Sequence, residues 1–204
     1  MNRISLLFIR QLLTRLFLSG LFLPVLFLPV LGRLFLLAAA ASLAACSSLN
    51  LPPLSTADHV DLESYLGTWY EIASLPHPKQ KNCVATQAIY KEFPDGTLEI
   101  KNSCREGTLD GPMRSVKGKA WVVDPDTNSK LKLSFFWPFE GDYWILAVSR
   151  NYEYALVGTP SRKYLWVLSR RRTLDPKITN SLLEKAKALG FSLDEIQYTA
   201  QPPS

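Results

Sequence analysis

The stretch Tyr65-Leu-Gly-Thr-Trp-Tyr-Glu-Ile-Ala73 marks the point where an apolar, basic N-terminal region gives way to a globular pattern. Gly67 can adopt backbone conformations that are closed to other residues, which allows a tight entry into the next segment. Trp69 then supplies a large anchor at the start of β-type alternation. A buried tryptophan can open many kinds of β-domain, so the fold class has to be decided by the residues after it in the chain.

Short runs rich in aromatic and β-branched residues come next, separated by turn sequences such as Pro94-Asp-Gly96, Asp110-Gly-Pro112 and Glu140-Gly-Asp142. This pattern predicts an all-β fold, an eight-stranded antiparallel up-and-down barrel. A barrel of that size holds either side chains or one small ligand. The strands are expected near residues 69–74, 84–91, 97–103, 115–123, 130–136, 142–149, 154–158 and 164–170.

One amphipathic helix is predicted after the last strand. Asp175 can cap it, Pro176 suits its first turn, and Gly190 ends it. Because the apolar face needs a surface to lie on, we expect the helix to pack on the outside of the barrel. That face comprises Ile178, Leu182, Leu183, Ala186 and Leu189.

Three ordered segments resemble signatures of the lipocalin family: Gly67-Thr-Trp69-Tyr-Glu-Ile-Ala73, Tyr154-Ala-Leu-Val-Gly158 and Tyr164-Leu-Trp-Val-Leu-Ser-Arg170. The chain resembles in particular the branch of bacterial outer-membrane lipoproteins related to apolipoprotein D. The resemblance implies a barrel with a helix after the last strand. It also implies that Arg170 packs over Trp69 and, with Gly67, closes one end of the barrel.

Residues 1–45 are predicted to be a lipoprotein-type signal peptide, because they are apolar and basic and end in small residues before Cys46. The alternative is a transmembrane helix with an incidental cysteine. By resemblance to bacterial lipoproteins, Cys46 would carry lipid, and Ser47 after it would direct the protein to the outer membrane. The remaining boundaries are a flexible spacer over 46–59, a lipocalin domain over 60–201 and a tail over 202–204.

The formal charge of +5 comes mostly from the signal segment. Four of the 23 basic residues are its arginines, and it holds none of the 18 acidic residues, so the rest of the chain is close to +1. The high pI therefore does not indicate nucleic-acid binding.

Two cysteines remain once Cys46 is assigned to lipid. Cys83 and Cys104 flank a hairpin that turns at Pro94-Asp-Gly96, so that Glu92 would face Thr97. Strict pairing from that turn leaves the two cysteines out of register, and a bulge or a slightly different turn would be needed to join them. In an oxidising periplasm we expect a structural disulfide; two free thiols are the alternative.

Catalytic and metal-binding patterns are lacking in the sequence. His59 and His77 have no metal-ligand spacing with another His, Cys or carboxylate, and no Gly-x-Ser-x-Gly elbow or phosphate-binding loop occurs. We therefore predict no enzyme activity, no metal and no cofactor.

The open mouth of the barrel is predicted near Phe135-Phe-Trp-Pro-Phe139, because its proline interrupts regular pairing in a dense apolar run. Strand alternation and the resemblance favour an inward Trp144. Glu71 shares parity with Trp69, so inside the barrel it would need a partner such as Lys, Arg or a Tyr hydroxyl. The predicted ligand-binding residues are Tyr90, Leu133, Phe135, Trp137, Phe139, Trp144 and Leu146.

The function expected from these features is a lipid-anchored outer-membrane protein whose barrel faces the periplasm. It would bind, store or transport a fatty acid or lysophospholipid in cell-envelope maintenance or stress. The alternative is a structural or interaction lipoprotein with a filled barrel and no small-molecule ligand. The sequence leaves open whether the protein forms a homodimer.

Overall fold

The computed structural model describes residues 51–203. The predicted signal peptide 1–45, the lipidation site Cys46 and the start of the spacer lie outside the described residues. Within them, the predicted all-β architecture is confirmed as a closed antiparallel barrel with one extra short strand and a C-terminal helix.

Eight sequential strands form the barrel. Each pairs with the next, and β1 pairs with both β8 and β2, which closes the sheet on itself. The strands are β1 Gly67–Ser74, β2 Cys83–Glu92, β3 Leu98–Glu106, β4 Met113–Val122, β5 Lys130–Phe136, β6 Phe139–Val148, β7 Tyr154–Gly158 and β8 Leu165–Ser169.

The chain enters the barrel through a short helix, α1 Leu62–Tyr65. The Asp61 side chain caps it by accepting a hydrogen bond from the main-chain nitrogen of Glu63 at 3.1 Å. Gly67 then has φ +91°, a conformation that residues with a Cβ rarely adopt. This turn brings the chain directly into β1 and places Trp69 inside the barrel.

The hairpin between β5 and β6 turns earlier than predicted. Glu140-Gly-Asp142 was expected to be a turn, but Gly141 pairs with Leu133 and Asp142 with Lys132. The reversal takes place at Trp137–Pro138. The prediction was wrong because Gly and Asp favour turns only weakly when both flanking strands can continue pairing.

The predicted disulfide between Cys83 and Cys104 is present. The turn is one residue longer than expected, because Glu92 faces Leu98 and not Thr97, and a bulge lies between Val84 and Gln87. Even so, Cys83 faces Glu106, so the bond joins diagonal neighbours on β2 and β3.

The second helix, α2 Pro176–Ala188, begins and ends where the sequence predicted. The Asp175 carboxylate accepts from the Lys177 nitrogen at 2.8 Å, and Gly190 comes after the end with φ +90°. Leu182, Leu183 and Ala186 are buried against the barrel. The helix therefore covers part of the outer wall.

Two apolar clusters result from this arrangement. The inner cluster fills the barrel around Trp69, Ile100, Leu131 and Ile145. The outer cluster lies between α2 and the outer face of the sheet, and includes Leu156, Leu165 and Val167 together with the helix residues.

The C-terminal segment completes the barrel wall where β1 and β2 diverge. Strand β9, Gln197–Tyr198, pairs with the end of β1. Beyond it, the Thr199 nitrogen donates to the Ile72 carbonyl at 3.0 Å, and the Ala85 nitrogen donates to the Ala200 carbonyl at 2.7 Å. The segment thus bridges β1 to β2.

Candidate functional site

The site is the interior of the barrel between a closed end and an open end. The closed end carries α1 and the loops 93–97, 123–129 and 149–153. The open end carries the loops 75–82, 107–112, 137–138 and 159–164, which together we call the open rim.

Arg170 and Trp69 lie together at the closed end. The Arg170 guanidinium carbon is 3.9 Å from the centre of the Trp69 ring, which is fully buried. The same guanidinium donates to the main-chain carbonyls of Ser64, Thr68 and Tyr152 at 2.7, 2.9 and 3.1 Å. Gly67 gives it room, since a Cβ there would stand 3.4 Å from the Arg170 Nη1. One side chain therefore joins α1, β1 and the β6–β7 loop.

Three tyrosines form a polar contact deep in the inner cluster. The Tyr90 hydroxyl donates to the Tyr143 hydroxyl at 2.8 Å, and Tyr65 and Tyr143 share a hydrogen bond of 2.9 Å. Burial raises the pKa of all three phenols above the ordinary value, so they remain neutral. Tyr90, a predicted ligand-binding residue, lies in this group with 4% of its surface exposed.

Glu71 lies 6% exposed on the wall formed by β1. Its carboxylate accepts hydrogen bonds from Ser74 Oγ at 3.0 Å, Gln80 Nε2 at 2.8 Å and Thr199 Oγ1 at 2.5 Å. These donors are all neutral, whereas the sequence suggested a cation or a tyrosine. They come from β1 itself, the turn at 78–80 and the C-terminal segment.

Two further polar groups, on β2 and β3, lack partners within the described part of the chain. Thr86 Oγ1 and Asn102 Oδ1 are buried there without a hydrogen bond. Thr86 shares the face of Ala88 and Tyr90, and Asn102 shares the face of Leu98 and Ile100, so both face the barrel interior. A buried polar atom without a partner costs free energy, which a bound ligand or water can recover.

The interior side chains nearer the open end are more accessible. Leu133, Phe135 and Trp166 pack against the inner cluster but are only partly buried. Phe135 lies over Gly118, where a Cβ would come within 2.6 Å of the ring. Trp166 Nε1 donates to Gln80 Oε1 at 3.1 Å, which connects this aromatic side chain to the Glu71 network. Leu133 and Phe135 were predicted as ligand-binding residues.

The other two predicted mouth residues lie on the rim itself. Trp137 and Phe139 are 91% and 76% exposed, and neighbouring Phe136 is 67% exposed. They flank the tip of the β5–β6 hairpin and do not line the interior.

Trp144 and Leu146 lie outside the barrel, so their predicted inward orientation is wrong. Leu146 is buried in the outer cluster, and Trp144 packs against that cluster beneath the Lys130 ammonium group. Their neighbours Tyr143 and Ile145 point inward instead. Both faces of β6 are apolar because α2 covers the outer one, so alternation does not reveal which face is inside.

Sequence reasoning missed several interior residues. Trp166 lies two positions from Leu168 on β8, and Asn102 lies two positions from Ile100 on β3. Residues two apart on a strand share a face, so strand parity could have found both. Gln80 could not have been found this way, because it belongs to a turn without periodicity.

Two solvent-open depressions occur on the outer surface near the closed end. One, of about 450 Å³, is lined by Tyr70, Thr173 and residues 170–172, and the other adjoins it around Leu174. Their linings are about equally polar and apolar, which does not suit an acyl chain.

Within residues 51–203, no cluster of His, Cys, Asp or Glu could hold a metal ion. None of the helices in this part of the chain has the length and apolar character needed to cross a membrane.

A closed eight-stranded barrel, sealed by an arginine on a tryptophan and carrying a helix on its outer wall, defines the lipocalin class. The family model for a lipocalin-like domain matches residues 60–201, so the chain belongs to the lipocalin family.

Curated relatives cover most of the chain. Outer membrane lipoprotein Blc of Escherichia coli K12 is 37% identical over 177 residues, which is 84% of this chain and 99% of Blc. Temperature-induced lipocalin-1 of Arabidopsis thaliana is 38% identical, covering 70% of this chain and 80% of the relative. Mouse apolipoprotein D is 33% identical, covering 78% of this chain and 84% of the relative.

Solved structures agree with the fold. Insecticyanin from Manduca sexta superposes with a TM-score of 0.60 at 21% identity, covering 74% of this chain and 86% of that protein. Lobster apocrustacyanin A1 gives a TM-score of 0.57 at 18% identity, covering 77% and 94%.

Proposed function

We propose that this lipocalin binds and carries one amphipathic lipid, a fatty acid or a lysophospholipid, in its barrel. The observation that carries the proposal is the uneven lining of the interior. Leu133, Phe135 and Trp166 offer partly exposed apolar surface towards the open end, while Thr86 and Asn102 offer unpartnered polar atoms on one wall. An amphipathic ligand has a part that suits each.

The apolar lining supplies most of the affinity. Each methylene of an acyl chain that leaves water contributes about 0.8 kcal/mol. The polar wall supplies orientation, because the free hydroxyl of a lysophospholipid can donate to Asn102 Oδ1 and the Thr86 hydroxyl can donate to a fatty-acid carboxylate. No step of this process needs a catalytic group, so we propose binding and transport without enzyme activity.

The names of the relatives support a place for the protein in the cell. Blc is named an outer membrane lipoprotein. We propose that the present chain is likewise anchored to the outer membrane through lipid on Cys46, with its barrel in the periplasm, and that it serves in envelope maintenance or stress. Lipoprotein modification adds several acyl chains, which together hold a protein on a membrane stably.

Native mass spectrometry of the chain from Ser47 to Ser204, freshly purified from a bacterial host, tests the ligand class. We expect a co-purifying mass that organic solvent removes and that fragments as a fatty acid or lysophospholipid. An apo mass that gains no adduct after incubation with both lipids would favour the filled-barrel alternative.

A pair of variants on β2 tests where the lipid binds. Ala88 is on the inner face and Ile89 on the outer face of the same strand. Ala88→Phe places a phenyl ring in the interior and obstructs an apolar pocket there. We therefore expect its affinity for a fluorescent fatty acid to be roughly tenfold lower than that of the wild type. Ile89→Phe should leave the affinity unchanged. Equal affinities in both variants, each folded by urea titration, would place the lipid elsewhere.

A further inference from the structure

The open rim carries a concentration of exposed apolar side chains. Phe136, Trp137 and Phe139 project from the β5–β6 hairpin, and Met113, which is 61% exposed, lies at the start of β4 on the same end. Water-exposed aromatic groups of this size are unfavourable unless another surface covers them. Trp is also enriched where proteins meet the membrane interface, since its ring is apolar and its N–H is polar.

The N-terminal segment also reaches this end of the barrel. Leu51 packs beside Gly190, and Arg162 on the β7–β8 loop donates to the Pro52 carbonyl at 2.5 Å. From there the chain runs along the outer wall to the closed end, where the Val60 nitrogen donates to the Thr127 carbonyl at 2.7 Å. The described chain therefore begins at the open rim.

The distance to the proposed anchor is short. Cys46 precedes Leu51 by five positions, and five residues span at most about 18 Å even when fully extended. A lipid on Cys46 would thus hold the open end, and not the closed end, close to the bilayer. The β7–β8 loop that binds Pro52 is also adjacent along the rim to the β5–β6 hairpin, because β6 pairs with β7.

The charges on the rim suit a phospholipid surface. Lys79, Lys81 and Lys163 are exposed on the rim loops. Lysines near an anionic bilayer surface are each attracted to it. The exposed aromatic hairpin and these lysines together have the composition of a membrane-interface binding surface.

From these observations we infer that the open rim docks on the phospholipid bilayer that holds the anchor, with Trp137 and its neighbours inserted at the interface. The mouth of the barrel then faces the membrane. A lipid could move between the bilayer and the barrel without exposing its chain to water. This inference rests on the proposed anchor at Cys46, but it does not depend on which lipid the barrel binds.

Tryptophan quenching in vesicles tests the orientation. The full-length chain, purified from bacterial membranes, is reconstituted into vesicles of phosphatidylethanolamine and phosphatidylglycerol whose acyl chains carry bromine. The chain has five tryptophans. If Trp137 enters the interface, the bromines should quench part of the wild-type fluorescence and almost none of the Trp137→Ser fluorescence, because only Trp137 lies within their reach.

A matched control moves the exposed tryptophan to the other end of the barrel. Val123 is 47% exposed and comes directly after β4 at the closed end. The double variant Trp137→Ser/Val123→Trp has the wild-type number of tryptophans, and we expect it to be quenched no more than Trp137→Ser. Equal quenching in all three proteins, or stronger quenching of the Val123→Trp protein, would overturn the inference.

A separate measurement distinguishes this proposal from the proposed function. Binding of a fluorescent fatty acid to the chain from Ser47 to Ser204, and its displacement by unlabelled lipid, report lipid binding in the absence of a membrane. Quenching of Trp137 without lipid binding would support the docked orientation and refute the carrier function. Lipid binding without quenching would support the carrier function and refute the docked orientation. Loss of the full-length protein from the vesicles on washing would also overturn the inference, because it would show that the protein has no stable lipid anchor.

Discussion

Replacing Arg170 should destabilise the barrel more than replacing any neighbouring arginine. Its guanidinium donates to three main-chain carbonyls and stacks on Trp69. The stacking contributes about 1–2 kcal/mol when partly desolvated. Hydrogen bonds from a charged donor contribute about 1.5–3 kcal/mol each when buried. Because Arg170 is only partly buried, water can replace part of them, and we expect Arg170→Ala to cost about 3–4 kcal/mol in total.

Arg170→Lys separates charge from shape. Lysine keeps the positive charge but has neither the planar group that stacks on Trp69 nor the fork that reaches three carbonyls. We therefore expect Arg170→Lys to recover only about 1 kcal/mol of the loss. Arg172→Ala is the matched control, since Arg172 lies 5.6 Å from the Tyr70 ring centre and makes one hydrogen bond, to the Pro203 carbonyl. Its removal should cost about 0.5 kcal/mol.

Urea unfolding at equilibrium, followed by tryptophan fluorescence, measures these differences in the free energy of unfolding. The disulfide stays oxidised in all samples, so that only the closed end changes. If Arg170→Lys unfolds at the wild-type midpoint, charge alone explains the contribution and the stacking geometry is irrelevant. If Arg170→Ala unfolds there too, Arg170 does not close the barrel.

Three further predictions concern other parts of the molecule. Trp144→Ala should lower stability by about 3 kcal/mol in urea and leave fatty-acid affinity unchanged, because Trp144 packs outside the barrel; weaker binding would contradict this placement. Replacing Cys83 and Cys104 together by Ser should cost about 3 kcal/mol by the same assay, since the bond spans a sequence separation of 21; an unchanged midpoint under oxidising conditions would refute a stabilising role. Partial burial, followed by the charge of Lys79, lowers the pKa of His77 below 6.5. The unfolded state therefore binds the proton more tightly, and stability falls as the pH drops below about 6.5. His77→Gln should lack this decline in stability. If the free energies of unfolding of the two proteins change in parallel with pH, His77 does not cause the decline.

The barrel could be predicted from sequence because its determinants are local. Alternation within each strand, turn residues between strands and the Asp175 cap of the helix each act over a few residues. The eight strands and the helix appear where these signals placed them. The β5–β6 turn was misplaced because its position depends on how far Gly141 and Asp142 continue to pair across the hairpin.

The interior surface was harder to predict than the fold. A strand covered by a helix on one side and by the barrel core on the other is apolar on both faces, so Trp144 and Tyr143 are equivalent by pattern. A bulge between Ile145 and Ala147 then changes the parity, so that Val148 packs with the inner cluster and Ala147 with the outer one. Register of this kind is set by contacts between distant strands.

The polar wall illustrates the same limit more sharply. Parity with Trp69 suggested an inward Glu71, and the structure buries this carboxylate, but its donors Gln80 and Thr199 lie 9 and 128 positions away in irregular segments. The C-terminal segment that brings Thr199 there also fills the gap between β1 and β2, where Gln201 Nε2 donates to the carbonyls of Glu71 and Thr86. One segment thus fills the gap between the two strands and supplies a hydrogen bond to the buried carboxylate. The polar side of the interior therefore depends on residues 199–201, whereas the contacts of Arg170 at the closed end involve none of them.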